Sequence, residues 1–301
     1  MNDNDDKIRV YVGADRSQAL AVTVLEHSIK RHASFNVDVV PMIDLPIRQP
    51  KDPRNFPRTG FSFSRFCIPK LAGYKGKAVY LDADMLVFRD IKTLWETPFN
   101  GAKIVIQKEV KHEEKTVNKE GAPKKRLKQC SVMLLDCGRL DWDIDAIIDE
   151  LDKGAYDYES LMYELGLLNE SEINFGIPFE WNSLEYFDET TCLIHYTDMY
   201  TQPWTSCKNK NGYLWLDEVR LMLNDGTLTM KDIETEIRNG YLRPSLKRDI
   251  QYGKYVPQLL RPWFMQYNML LDRSKKYIPH KDVYAMKKKR LEAQGPSATV
   301  L

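Results

Sequence analysis

Apolar and polar positions alternate in short runs near the start of this 301-residue chain. Residues 8–14 (Ile-Arg-Val-Tyr-Val-Gly-Ala) are β-branched and aromatic, and residues 17–31 set Ala21, Leu25, Ser28 and Ile29 on one helical face. This predicts a strand, a tight turn and a helix. A second strand is predicted at Val37–Met42, then a loop carrying Pro46, Pro50, Pro53 and Pro57, a helix near residues 63–71 and a strand at 78–81. Strand and helix alternating in this way predict an α/β fold with a mostly parallel central sheet flanked by helices. Further strands are expected at 103–107, 131–136 and 191–196, with helices at 143–152, 157–168, 213–224 and 229–239. Residues 108–128, dense in Lys and Glu around Gly121-Ala122-Pro123, read as a solvated loop.

Composition narrows the class. Hydrophobic residues make up 43% and charged residues 29%, as in a globular chain rather than a disordered or membrane-spanning one. The net charge of +1 conceals an asymmetry: residues 241–301 carry 13 basic and 4 acidic side chains, against 31 and 39 before them. We therefore divide the chain into a body, residues 1–240, and a basic, aromatic, helical extension, residues 241–301. In the extension Leu260, Trp263, Phe264, Tyr267 and Leu271 form one apolar stripe near Arg261, Arg273, Lys275 and Lys276, and a basic run follows at 287–290. The stripe suits either an interfacial helix on an anionic membrane or a helix packed on its own domain. The acidic body and the lack of any recognised module argue against nucleic acid as a partner. The acidic N-terminus lacks a signal-peptide pattern, and five cysteines without a CxxC pair suit reduced thiols, so the expected location is cytoplasmic, with peripheral membrane contact through the extension.

The candidate chemistry lies in Val79-Tyr80-Leu81-Asp82-Ala83-Asp84, a buried strand that ends in two acids around a small residue. Open α/β sheets place ligands at the carboxyl ends of their strands. Carboxylates at i and i+2 of an extended segment point to opposite faces, so the chain must turn at Ala83 for Asp82 and Asp84 to share one ion. Hard oxygen ligands suit Mg²⁺ or Mn²⁺. His195 ends another short apolar strand and completes a candidate Asp/Asp/His set, in which an imidazole favours Mn²⁺. His27, His32, His112 and His280 have no ligand-like spacing with acids.

The ordered set of Asp15 after the first strand, Ser64-Arg65-Phe66, Pro69-Lys70-Leu71, Asp82-Ala83-Asp84, Trp142, Glu180-Trp181-Asn182, His195-Tyr196 and Pro203-Trp204 resembles glycosyltransferase family 8. That family comprises retaining enzymes of the Rossmann-like GT-A fold, including glycogenin and bacterial lipopolysaccharide galactosyl- and glucosyltransferases. The resemblance implies a metal-dependent hexosyltransferase that takes a nucleotide-sugar, usually a UDP-sugar, bound through Mn²⁺. It implies Asp82, Asp84 and His195 as metal ligands, Gly13 and Asp15 at the uridine, Ala83 along the ribose and Arg65 on the donor. It further implies Gln202 at the diphosphate and Gln129 and Asp157 nearest the sugar, as catalytic candidates. It also tilts the extension toward the membrane surface. Three positions depart from the family pattern: Gln129-Cys130-Ser131 stands for Asn-Ala-Gly, Asp157-Tyr158-Glu159 for Asp-Gln-Asp, and Gln202 for the lysine before Pro-Trp. These departures motivate an alternative, a catalytically weak nucleotide-sugar- or glycan-binding relative. The acceptor, whether glycan, lipid or protein, is not specified by the sequence.

Overall fold

The computed structural model describes residues 7–57, 59, 61–107, 128–281, 283–285, 288 and 292. The loop expected at 108–128 lies outside the described residues except for Lys128, as does the basic run except for Lys288. His112 and the acidic N-terminus are also outside them.

The chain opens with β1 (Ile8–Gly13), a 3₁₀ turn (Arg16–Gln18), α1 (Ala19–His32) and β2 (Val37–Met42). A 3₁₀ turn at Ser64–Cys67 runs into α2 (Ile68–Leu71), followed by β3 (Lys77–Asp82), β4 (Met85–Val87) and α3 (Lys92–Trp95). Next come β5 (Ile104–Gln107), β6 (Val132–Asp136), α4 (Ile144–Lys153), α5 (Tyr158–Tyr163), β7 (Ile173–Ile177), β8 (Ser183–Leu184) and β9 (Leu193–His195). Four helices close the described chain: α6 (Gly212–Asp225), α7 (Met230–Asn239), α8 (Leu246–Tyr252) and α9 (Arg261–Ser274).

The central sheet has the order β2-β1-β3-β6-β5-β7. The β1/β2, β1/β3 and β5/β7 pairs are parallel, and β6 runs antiparallel to both of its neighbours. Along β3, Ala78 and Tyr80 enter the core cluster shared with α2, α4 and α5, while Val79 and Leu81 enter the opposite cluster with Val22, Leu25 and Ile29 of α1. Burial on both faces is why this strand reads as an unbroken apolar run. A second, smaller sheet has the order β4-β9-β8. It carries a third cluster in which Leu86 and Ile194 meet Trp204, Trp215 and Val219.

Two expected helices come out shorter. The one expected at 157–168 stops at Tyr163, because Leu165 adopts a left-handed backbone and the Gly166 N–H closes onto the Ser160 carbonyl. The one near 63–71 begins as a 3₁₀ turn and holds Pro69, which has no N–H to donate. The segment after Gly240 joins the third cluster through Leu242, Leu246 and Ile250, and the buried Arg243 guanidinium bonds the Pro203 carbonyl, Ser245 and Asp249. In α9 the expected apolar stripe turns outward: Leu260, Trp263 and Tyr267 are exposed, while Asn268 is buried.

Leu246→Ala should cost about 2–5 kcal/mol, as for a fully enclosed leucine. The urea midpoint would fall at unchanged slope, and a loss below about 1 kcal/mol would contradict the packing of α8 into the core.

Candidate active site

The site forms where the chain passes from one sheet to the other. Asp82 is the last residue of β3 and pairs in register with Gly13. Ala83 donates its N–H to the Gly13 carbonyl, and two residues later β4 begins in the second sheet. The change of direction at Ala83 lets Asp84 face the same point as Asp82. In the second sheet Met85 pairs with His195, and the Tyr196 N–H donates to the Asp84 carbonyl at 2.8 Å. Strand pairing alone therefore delivers the histidine to the acids, and ligand atoms of Asp82, Asp84 and His195 lie within 4.8 Å of one another.

Each ligand candidate is held from behind. Tyr80, two residues before Asp82 and thus on the same side of β3, donates its hydroxyl to Asp82 Oδ1 at 2.5 Å. A Cβ at position 13 would lie 2.5 Å from that hydroxyl, so glycine at the end of β1 leaves room for it. Asn182 Nδ2 donates to Gln107 Oε1 at 2.8 Å, which turns Asn182 Oδ1 toward His195 Nδ1, 3.0 Å away. In the neutral imidazole the proton therefore sits on Nδ1, leaving the Nε2 lone pair for a cation. Gln202 donates through Nε2 to Asp84 Oδ2 at 2.8 Å and to the Tyr196 carbonyl at 3.0 Å.

Nε2 of His195 stands 3.0 Å from Asp84 Oδ1, a buried oxygen whose one side-chain neighbour at hydrogen-bond distance among the described residues is this imidazole. With the imidazole neutral, an oxygen and a nitrogen lone pair face one point, an arrangement that fits a cation. Burial raises the Asp82 carboxyl above the usual carboxylate range, opposed by Arg65 beside it. Burial disfavours the charged form of His195, but the neighbouring Asp84 and Asp82 outweigh it and raise the imidazole above its ordinary value. The His195 direction reflects the negative charge of the two acids, the Asp82 direction chiefly its burial.

The three ligands open onto a cavity of about 330 Å³ that is also lined by Arg65, Gln129 and Tyr158. Arg65 is buried, donates to the Cys130 carbonyl at 2.9 Å, lies 3.9 Å from Asp82 Oδ1 and faces the Tyr80 ring. Gly13 and Ala83 sit at the strand ends beside the cavity. The Asp15 carboxylate caps the 3₁₀ turn, accepting from the Ser17 N–H and hydroxyl. Asp157 is an exposed helix cap that accepts from the Ser160 N–H, and the next residue, Tyr158, reaches the cavity wall. Gln202 lies behind Asp84.

A family model described as glycosyl transferase family 8 matches residues 4–136. Protein CDI of Arabidopsis thaliana is 30% identical over 229 residues, covering 70% of this chain and 85% of the relative. The chain belongs to glycosyltransferase family 8. Among solved structures, an active-site mutant of LgtC superimposes with a TM-score of 0.51 at 15% identity, over 70% of this chain and 95% of that one. The glycosyltransferase GlyE of Streptococcus pneumoniae TIGR4 gives 0.52 at 15% identity, over 70% of this chain and 60% of GlyE, so the family 8 chain spans only part of that protein. These neighbours share the GT-A fold: a mostly parallel sheet flanked by helices, to which the C-terminal helices are appended. Membership makes this protein a transferase.

Three positioning elements escaped the sequence reading. Tyr80 had a signal, its parity with Asp82. Asn182 stood in the Glu180-Trp181-Asn182 motif without an assigned role, and its pairing with Gln107, 75 residues away, had no signal in the sequence. Glu185, in a left-handed backbone conformation, accepts from the Asp198 N–H and Asn209 Nδ2 and donates its own N–H to the His195 carbonyl, fixing the loop that leads to Gln202. Replacing Asn182 by Ala should lower Mn²⁺ affinity about 10–100-fold, read by electron paramagnetic resonance of the free ion. Unchanged affinity would remove Asn182 from the support of the site.

Proposed function

We propose that this family 8 transferase moves a hexose from a UDP-sugar to a glycan, lipid or protein acceptor, with retention at the anomeric carbon and with Mn²⁺ held by Asp82, Asp84 and His195. The observation that carries the reading is the convergence of the three ligand atoms at the floor of a cavity that also holds the Arg65 guanidinium.

The donor's diphosphate would otherwise face two carboxylates, a repulsion of about 4 kcal/mol per charge pair at ~4 Å and an effective dielectric of ~20. When bound, Mn²⁺ supplies a Lewis acid for the diphosphate as it departs. The protein's part is to hold charge and shape. Asp82 and Asp84 supply oxygens, Asn182 keeps the His195 Nε2 lone pair free, and Gln202 fixes the second Asp84 oxygen. Arg65 adds a cation that burial makes effective against the departing charge. Gly13 and Asp15 lie toward the uridine, and Ala83 along the ribose. Gln129 lies nearest the sugar, together with Asp157, which acts through the helix cap that seats Tyr158. As the C1–O bond to the diphosphate breaks, the acceptor oxygen bonds C1 from the same face and its proton passes to a phosphate oxygen of the leaving group. No carboxylate nucleophile is required. A cytoplasmic setting is part of this proposal and rests on five cysteines without a CxxC pair.

A second reading, a weakly active binder of nucleotide-sugars, is favoured by one observation: Gln202, where the family carries a lysine, brings no cation. A panel of UDP-hexoses with and without Mn²⁺, read by UDP release and by the mass of any modified acceptor, separates the two. Mn²⁺-dependent consumption of a donor, lost in Asp82→Asn and Asp84→Asn, is expected. Full turnover in either variant would sink the site assignment, and UDP binding without consumption of any donor would favour the binder.

A further inference from the structure

A second cavity, of about 510 Å³, lies on the far side of the loop that carries Pro203, between α6, α8 and α9. Its walls hold six cationic side chains and two carboxylates. Both carboxylates already have guanidinium partners: Arg220 Nη1 donates to Asp217 at 2.6 Å, and Arg243 Nη2 to Asp249 at 2.5 Å. Arg220 and Arg243 are themselves tied to backbone carbonyls of Ile250, Asp249 and Pro203, so the base of the cavity is rigid. The excess lies in Lys208, Lys254 and Arg261, which have no carboxylate partner among the described residues. Cations without a carboxylate partner lining a concave site over a fixed guanidinium base suit a phosphate group.

The surroundings say what carries that phosphate. Phe264 and Met265 of α9 form part of the cavity wall, and the neighbouring face of the same helix exposes Trp263, Tyr267 and Leu270. Leu259 is 87% exposed, Trp263 75% and Tyr255 71%, next to exposed Leu260, Tyr267 and Leu270. Large apolar side chains seldom crowd together in water. A fringe of Leu, Trp and Tyr beside a basic cavity matches the layering of a membrane interface, with rings and aliphatic chains at acyl depth and cations among the headgroups. We propose that this cavity binds the phosphate of an anionic membrane lipid while the exposed face of α9 and residues 252–260 lie in the interface. The proposal stands apart from the donor site, with which the cavity shares no lining residue.

Flotation of the full chain with phosphatidylcholine vesicles, with and without phosphatidic acid, tests it. Binding only to the vesicles with phosphatidic acid is expected. The exposed triple change Lys208→Ala, Lys254→Ala and Arg261→Ala should lower partitioning at least about tenfold. The pair Leu260→Ser and Trp263→Ser should also lower it, while calorimetric binding of inorganic phosphate stays unchanged. Circular dichroism and UDP-sugar consumption, if present in the parent, should match the parent in both variants. Equal binding to neutral vesicles, partitioning unaffected by the triple change, or phosphate binding without flotation would each overturn the proposal, the last assigning the cavity to a soluble phosphate. A dimer in solution dispersed by Trp263→Ser, without flotation, would instead give the apolar fringe to a second copy of the chain.

Discussion

Two carboxylates two residues apart on a strand cannot meet unless the strand stops being one between them. Here the chain leaves the central sheet after Asp82 and enters the small sheet at Met85, so Asp82 and Asp84 belong to different layers while facing one point. Much of the site follows from that crossing. Because β4 pairs with β9, the partner strand must end beside Asp84, and its final residue is His195. Because β3 is buried on both faces, a polar side chain of the same strand meets Asp82 from matching parity, and Tyr80 fills that place. Because the β1 end lies against this tyrosine, position 13 has no room for a side chain.

The parts of the fold legible in the sequence are those whose burial imposes a period. The first three strands of the central sheet fall within a residue of their expected limits, since their apolar runs are set by cores on both faces. β4 and β8 are too short to leave a period, and β7 is interrupted by Asn174 and Gly176. In the site, acids and a histidine ending apolar runs were visible, whereas the Asn182–Gln107 pair exists only in three dimensions. The stripe on α9 was legible as a stripe but not as to direction. Asn268 and Asp272, the latter bonded to Ser245, share the inward face with half-buried Phe264 and Leu271, while Trp263 and Tyr267 face out.

The near-neutral chain thus holds two opposed electrostatic arrangements. Around Asp82 and Asp84 the protein concentrates negative charge, tempered by the buried Arg65, and sets a carboxylate oxygen against the imidazole of His195. Around the second cavity it pairs every carboxylate and leaves cations over. On the proposed readings, the first arrangement would attract phosphate only through an intervening metal, the second directly. A salt-dependent association would be felt far more at the second, where the charges are exposed to screening.

The pairing of β4 with β9 also orders events in time. Gln202 and Asp84, in direct contact, are 118 residues apart, and His195 comes from the same late stretch of chain. During synthesis both acids emerge early, on a β–α–β unit rich in local contacts, and remain a two-oxygen site with little hold on a cation. Only when β9 has been made and inserted does the imidazole arrive, with its supporting amide. On the proposed reading, a complete three-ligand site would exist only late in folding, after the long-range closure of the second sheet. A chain holding the central sheet but lacking β9 would keep both acids and miss their third partner.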